Sequence, residues 1–299
     1  MAHYLDPKND LTFKRVFGEH KHLCISLLNS MLPLEQPIVS IEYQTGELIP
    51  EIEPLRHSIV DVCCVDEIGR QFIVEMQMYW SESFKSRVLL NVSKAYIKQL
   101  DKAKEYKLLH PVYALNFIDK IFENSPEMRE EYFHHYKIVN IKNTDKQIEG
   151  LEFIFVELPK FKPQNRAEKK LHELWLRFLT EINESTTEVS EELLQNELIG
   201  EAVKYMEVGA YTKEQLLTYD KYRDAIMTER SVIDDALTEG RIEGEAIGLE
   251  KGKIEGKIEG KIEVVLNSHH AGISIDTIAT ITGLTLEEIA EILKQHGLL

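Results

Sequence analysis

The sequence predicts an α/β protein, a mixed central sheet flanked by helices and followed by an α-helical C-terminal region. Three observations carry this. Short apolar runs of strand length lie between two helix-periodic segments up to Pro163; the pattern turns helical beyond it; and glycine recurs every fourth residue from Gly240 to Gly260.

In order, Asp10 to Leu32 predicts a helix, because Leu11, Val16, Leu23, Leu27 and Leu28 form an apolar stripe and Pro33 ends it; Gly18 marks a point where it could kink. Ile38 to Leu48, Ser58 to Val65 and Arg70 to Tyr79 predict strands, the last two joined by the turn Asp66-Glu67-Ile68-Gly69. Ser83 to Lys107 predicts a helix with an apolar seam at Leu89, Val92, Tyr96, Leu100 and Ala103. Pro111 to Ile118 is the nearly continuous apolar run of a buried strand, and Phe153 to Leu158 predicts another.

Helices follow at Gln164 to Thr180, Ser190 to Val208 and Thr212 to Leu237. The repeat then takes mostly the form Gly-Lys-Ile-Glu. Each glycine costs roughly 0.8 to 1 kcal/mol relative to alanine in a helix, so six of them disfavour a lone helix unless a partner backbone approaches closely. Self-association through this segment is one expectation and a flexible tether the other. Ile273 to Leu299 predicts a small helix pair, with Ser274 as a cap, Gly283 at the end of the first helix, and a Thr285/Glu288 capping box opening the second. Its spacing also suits a helix-turn-helix, but Glu287, Glu288 and Glu291 on the second helix would repel phosphates. The domain reading is therefore 1–163, an α/β core; 164–237, helical; 238–264, the repeat; and 265–299, the helix pair.

A chain of 299 residues suggests about two folding units at roughly 100 to 200 residues each, and 43% apolar residues suffice for a core. No run approaches 18 apolar residues, and the start MAHYLDPKND lacks the apolar stretch of a secretion signal. Cys24, Cys63 and Cys64 have no metal-ligand spacing, and neighbours on one strand point to opposite faces, so Cys63 and Cys64 should not pair. A reducing cytoplasm is the expected setting.

The net charge of −16 argues against a simple cationic nucleic-acid binder, but it is unevenly spread. Residues up to Pro163 carry net −4 and the remainder −12. Residues 85–107 hold seven bases (Lys85, Arg87, Lys94, Lys98, Lys102, Lys104, Lys107) against two acids, while residues 42–75 hold eight acids against Arg56 and Arg70. An acidic cluster beside a basic helix suits a metal-dependent enzyme acting on an anionic polymer; composition equally allows two solvated faces.

The acidic cluster has a geometric reading. Around a turn centred on Ile68, cross-strand partners have numbers that sum to 136, which sets Asp61 opposite Glu75. Opposed Cβ atoms lie about 4.5 to 5.5 Å apart, within reach of one shared divalent cation. Asp61 sits in the apolar run Ile59 to Val65, where a carboxylate lacks water, and a second carboxylate raises its cost unless a cation intervenes. Mg2+ held by Asp61, Glu75 and the main-chain carbonyl of Met76 is one outcome; satisfaction by Lys, Arg or backbone donors is the other.

These residues resemble a family. Asp61 on a strand, Glu75-Met76-Gln77 after a hairpin, and a basic helix with Tyr96 and Gln99 look like the PD-(D/E)XK nuclease core. Asn9-Asp10-Leu-Thr-Phe13-Lys14-Arg-Val-Phe17-Gly18, Gly69 through Gln77, Tyr106 through Asp119, the four-residue repeat and the terminal helix pair resemble the recombination-promoting nuclease/transposase (Rpn-like) branch. The resemblance implies a restriction-endonuclease-like core and a Mg2+-dependent DNA endonuclease, with Mn2+ as a substitute, that hydrolyses phosphodiester bonds in recombination or transposition. It implies Asp61 and Glu75 as metal ligands, Gln77 where most of the superfamily has a catalytic Lys, Asp10 as the first-helix acid, and Tyr96 and Gln99 as supporting or phosphate-facing residues. DNA would be met by Lys14, Lys85, Arg87, Lys94 and Lys98. The chain departs from the branch at Leu89 and Leu90, often aromatic there, and lacks a glycine before Tyr106. Because Gln77 carries no charge, a non-catalytic DNA-binding or assembly protein on a degenerate nuclease fold is the second reading.

Overall fold

Helix α1 (Asp10–Glu19) opens where the Asn9 side chain accepts the Leu11 N–H at 3.0 Å, the contact that satisfies a first-turn donor. The single helix expected up to Leu32 is two. α1 and α2 (Lys21–Met31) part at His20, not at Gly18, where the backbone is extended at φ −115° and ψ 93°. The reason is side-chain chemistry: His20 Nδ1 donates to the Arg15 carbonyl at 2.7 Å and its ring packs on Tyr205 with centroids 4.1 Å apart. The ring closes α1, and the His20 carbonyl accepts the first amides of α2.

The computed structural model describes residues 4–45, 47–48, 58–101, 105–163 and 170–299. Strands β1 (Ile41–Tyr43), β2 (Glu47–Leu48), β3 (Ser58–Ile59), β4 (Val62–Asp66) and β5 (Gln71–Gln77) lead into α3 (Glu82–Lys98). β6 (Val112–Ile118), β7 (Phe133–Asn140), β8 (Asn143–Glu157) and α4 (Leu171–Glu181) follow. Six strands form one mixed sheet in the order β1-β4-β5-β6-β8-β7, and β2 pairs with β3 alone. β5, β6 and β8 are parallel, while the β1/β4, β4/β5 and β7/β8 pairs are antiparallel. The fold is thus the mixed sheet flanked by helices that the sequence predicts. β7 and the first half of β8 are additions, because their outer stretch Tyr136–Glu149 is exposed and lacks the apolar run of a buried strand. α3 stops at Lys98 rather than Lys107; Lys102, Ala103 and Lys104, like Arg56 and the start of the helix expected from Gln164, lie outside the described residues.

Helix pairs α1/α2 and α4 cover one sheet face, and α3 covers the other. Phe13, Phe17, Leu27, Val62, Cys64, Phe72, Val74 and Trp175 share the first core; Cys63, Ile73, Phe84, Val88, Val92 and Ala114 share the second. Cys63 and Cys64 therefore face opposite ways, and all three cysteines are free and buried. The first three helices after residue 170 belong to the first core. α4, α5 (Glu191–Gln195) and α6 (Glu197–Lys204) contribute Trp175, Phe178, Leu193, Ile199 and Val203 to it, and Phe17 meets Trp175 and Phe178 edge-on at 5.3 and 6.5 Å.

The chain divides into two compact units, Met1–Ile226 and Met227–Leu299, within α7 (Lys213–His270). The glycine repeat is helical. A Cβ added at any glycine from Gly240 to Gly260 would meet nothing within 4 Å, and Ile242, Ile254 and Ile258 are more than half exposed. The second unit has a small core in which Val265 of α7 packs with Ile278 of α8 (Ile275–Thr282) and Ile289 and Leu293 of α9 (Leu286–Gln295). The Thr285/Glu288 capping box is present; the Ser274 hydroxyl bonds Thr277 instead of the backbone. No helix among the described residues is long and apolar enough to cross a membrane.

Phe17 joins α1 to α4, so Phe17→Ala should cost about 3 to 5 kcal/mol of stability. Followed by denaturant titration, residues on both sides of Pro163 should unfold together in one transition.

Candidate active site

The β4–β5 hairpin sets the site. Its pairs are Val62↔Val74, Cys63↔Ile73, Cys64↔Phe72 and Val65↔Gln71, the register expected from a turn centred on Ile68. Gly69 makes the turn possible. Its φ is +92°, and the His110 ring lies 2.6 Å from where a Cβ would stand, so no other residue fits without displacing that ring.

The ladder ends one step before Asp61 would pair with Glu75. Val60 and Cys63 both face α3, whereas Val62 and Cys64 face α1, so the alternation slips at a bend on Asp61. The expected face-to-face pair of carboxylates is therefore replaced by a different arrangement. Asp61 turns into the sheet margin, where Oδ2 accepts the Met76 N–H at 2.8 Å. Since N–H and C=O of one strand residue point to the same side, the Met76 carbonyl also points toward Asp61. Asp61 Oδ1 is 3.7 Å from Lys14 Nζ, which lies 2.6 Å from Asp10 one helical turn earlier.

Glu75 lies on the α3 face. Phe84, Arg87 and Asn91 share one side of α3, by the three- and four-residue spacing of a helix, and that side meets the end of β5. Asn91, 1% exposed, donates from Nδ2 to Glu75 Oε1 at 3.1 Å. Arg87 Nη2 donates to Gln77 Oε1 at 2.6 Å and stands 3.9 Å from Glu75 Oε2.

Burial governs the protonation of both acids. It pushes Asp61 up to about 7, with the neighbouring Asp10 and Glu75 charges adding to the rise and the Met76 N–H and Lys14 opposing it. It raises Glu75 as well, against Arg87 and the Asn91 amide. For both carboxylates the loss of hydration outweighs the nearby cation, Lys14 for Asp61 and Arg87 for Glu75.

The remaining expected site residues divide. Lys85 Nζ sits over the rings of Phe122 and Trp80, at 5.0 and 5.4 Å, near the start of α3. Lys94 and Lys98 follow farther along the helix, Lys98 beside Gln44 and Gly69 at the opposite end of β5. Tyr96 and Gln99 do not join the carboxylates. The Tyr96 ring packs where Gly150 leaves room for it, and both polar ends of the Gln99 amide are taken by the His110 backbone. The apolar seam expected through Tyr96 is displaced: Leu89 and Leu100 are exposed, and α3 buries Phe84, Val88, Val92 and Ala95. Asn91 is the site residue that sequence reasoning missed; an asparagine among the buried positions of an otherwise apolar helix face was its signal.

A family model described as PD-(D/E)XK nuclease family transposase matches residues 7–236. The chain belongs to that family. No curated protein and no solved structure matches it. In this family member the acids of the hairpin and the side chains α3 brings to them form one site at the C-terminal end of β5.

Nucleases of this family generally use divalent metals. Among the described residues no three His, Cys, Asp or Glu side chains form a ready-made ligand group; Lys14 contacts both Asp10 and Asp61. The donors at the hairpin end still fit a hard cation. Asp61, Glu75 and the Met76 carbonyl offer oxygen alone, and the side-chain cations nearby, Lys14 and Arg87, do not offset the raised proton affinity of the two acids.

Asp61 rises from 3.8 to about 7 on folding, so the folded chain holds its proton more tightly than the unfolded one. Stability then falls as pH climbs from about 4 to about 7 and levels off above. Asp61→Asn removes this penalty, and the variant should melt higher than the wild type by on the order of 5 °C at pH 8, with no difference near pH 4. Calorimetry across pH checks both ends.

Proposed function

We propose that this chain is a metal-dependent DNA endonuclease that hydrolyses phosphodiester bonds, serving recombination or transposition. The observation that carries the reading is the hairpin end itself: two carboxylates with raised proton affinity, buried Glu75 and half-buried Asp61, the latter on the Met76 backbone. Structure alone disfavours such a pair. Mg2+, or Mn2+ in its place, is the cofactor of this reading; Asp61, Glu75 and the Met76 carbonyl would hold it, and it supplies Lewis acidity toward water and a phosphate oxygen.

The chain's own groups have separable tasks. The Met76 N–H orients Asp61, and Asn91 orients Glu75. Lys14 restrains Asp10 next to Asp61. Lys14 serves at the hairpin end as a DNA contact, with Lys85, Lys94 and Lys98 adding others along α3. In the reaction a water oxygen bonds to phosphorus and loses a proton to solvent. One ester P–O bond breaks, and its electron pair and a solvent proton end on the leaving hydroxyl. A reducing cytoplasm is consistent with three free cysteines.

Self-association through α7 belongs to the same reading, since its glycines stand open and its isoleucines exposed along the repeat.

In a plasmid-nicking assay with Mg2+, Glu75→Ala and Glu75→Gln should each cut at least ~100-fold more slowly than wild type while circular dichroism is unchanged. Equal rates would place any activity elsewhere. Deleting residues 238–264 should lower the hydrodynamic mass from that of an oligomer to that of a single chain; an unchanged mass would refute self-association.

A further inference from the structure

Hydrolysis of a phosphodiester gathers negative charge on the phosphate oxygens, and a site that stabilises it needs a fixed cation close to the carboxylates. Among the described residues, two side-chain cations stand within 4 Å of the hairpin-end carboxylates. Lys14 is already engaged, 2.6 Å from Asp10 and 3.7 Å from Asp61. Arg87 makes no contact that close to a carboxylate. Of the five N–H donors a guanidinium carries, the one hydrogen bond it makes among the described residues is to the neutral Gln77 amide, at 2.6 Å. Its side chain is 51% exposed and 3.9 Å from Glu75. The plane is set by the Phe84 ring, 4.9 Å beneath it and itself 1% exposed.

We infer that Arg87 is a catalytic residue, the cation that holds a non-bridging oxygen of the phosphate being cut, rather than one of several peripheral DNA contacts. The inference rests on the nuclease reading above. Gln77 would serve as its bracket: the amide oxygen takes one Nη2 hydrogen, and the second Nη2 hydrogen, with the donor beside it on the free edge, is left for a planar pair of bonds to phosphate, a match a guanidinium makes and an ammonium does not. The positive charge then enters the site from α3, because the strand position next to Glu75 on the same face offers none.

The two roles predict different measurements. A peripheral contact contributes affinity and a share of its salt dependence; a cation acting on the reacting phosphate contributes rate. Single-turnover nicking with Mg2+ and saturating protein should slow ~100-fold to 1,000-fold in Arg87→Ala. Arg87→Lys should retain an intermediate rate. DNA affinity, read by fluorescence anisotropy in EDTA across a salt series, should change by no more than about threefold with an unaltered salt slope. Adding Gln77→Lys to Arg87→Ala returns a cation to the Glu75 face and should recover at least ~10-fold of the lost rate. Arg87→Ala that cuts at the wild-type rate overturns the inference. So does a loss confined to affinity with a flatter salt slope, or a double variant no faster than Arg87→Ala. A wild type that cuts nothing with any divalent metal defeats the nuclease reading itself, and the inference falls with it. That outcome is distinct from the others because there the wild type remains active.

Discussion

At the step where the β4–β5 ladder runs out, the Met76 amide donates to the Asp61 carboxylate instead of to a strand carbonyl. A buried amide there requires an acceptor, and a side chain supplies it because the backbone of Asp61 has already left the sheet. This one substitution puts a carboxylate in the plane of the sheet, between its two faces. From that position Asp61 meets Lys14 on the α1 side and feels Glu75 on the α3 side. The two helix layers that bury the sheet thereby also exclude most water from Glu75 and part of it from Asp61.

The layers are not interchangeable. α1 and α2, backed by α4 to α6, form the larger core and contribute Asp10 and Lys14. α3 buries Phe84, Val88, Val92 and Ala95 and, from the same side one turn apart, reaches Glu75 through Arg87 and Asn91. Packing and chemistry share a helix face here: the residues that pin α3 to the sheet fix where its polar side chains end.

A second buried polar cluster supports the loop beyond β6. Glu157, fully buried at the end of β8, is bonded by His134 Nε2 at 2.8 Å, by Lys160 Nζ at 2.5 Å and by the amides of Phe122 and Glu123. Lys160 also donates to the carbonyls of Glu123, Met128 and Glu131. Every partner is charged or hydrogen-bonded, so the cluster costs little and rigidifies. It holds Phe122 against Trp80, centroids 4.2 Å apart, under the Lys85 ammonium. The position of the Lys85 ammonium thus depends on a carboxylate that never touches it.

The strands with a strong apolar signature and the hairpin register were legible in the sequence. Alternation and a turn centred on Ile68 depend on neighbours along the chain, and the family resemblance matched the same residues. What could not be read depended on distant partners. His20 breaks the first helix because Arg15 and Tyr205 engage its ring, and Tyr205 is far along the chain. Gln99 turned to the His110 backbone, and Tyr96 to Gly150, because of where the strand edges lie. The sequence by itself determined which residues are acidic, which are basic and on which element each sits. Only the tertiary structure decided that Asp61 leaves its ladder for the Met76 amide and that Arg87 and Asn91 meet Glu75, because hydrogen-bond satisfaction at a strand end and the landing of a helix side chain are set by the packing of both layers together.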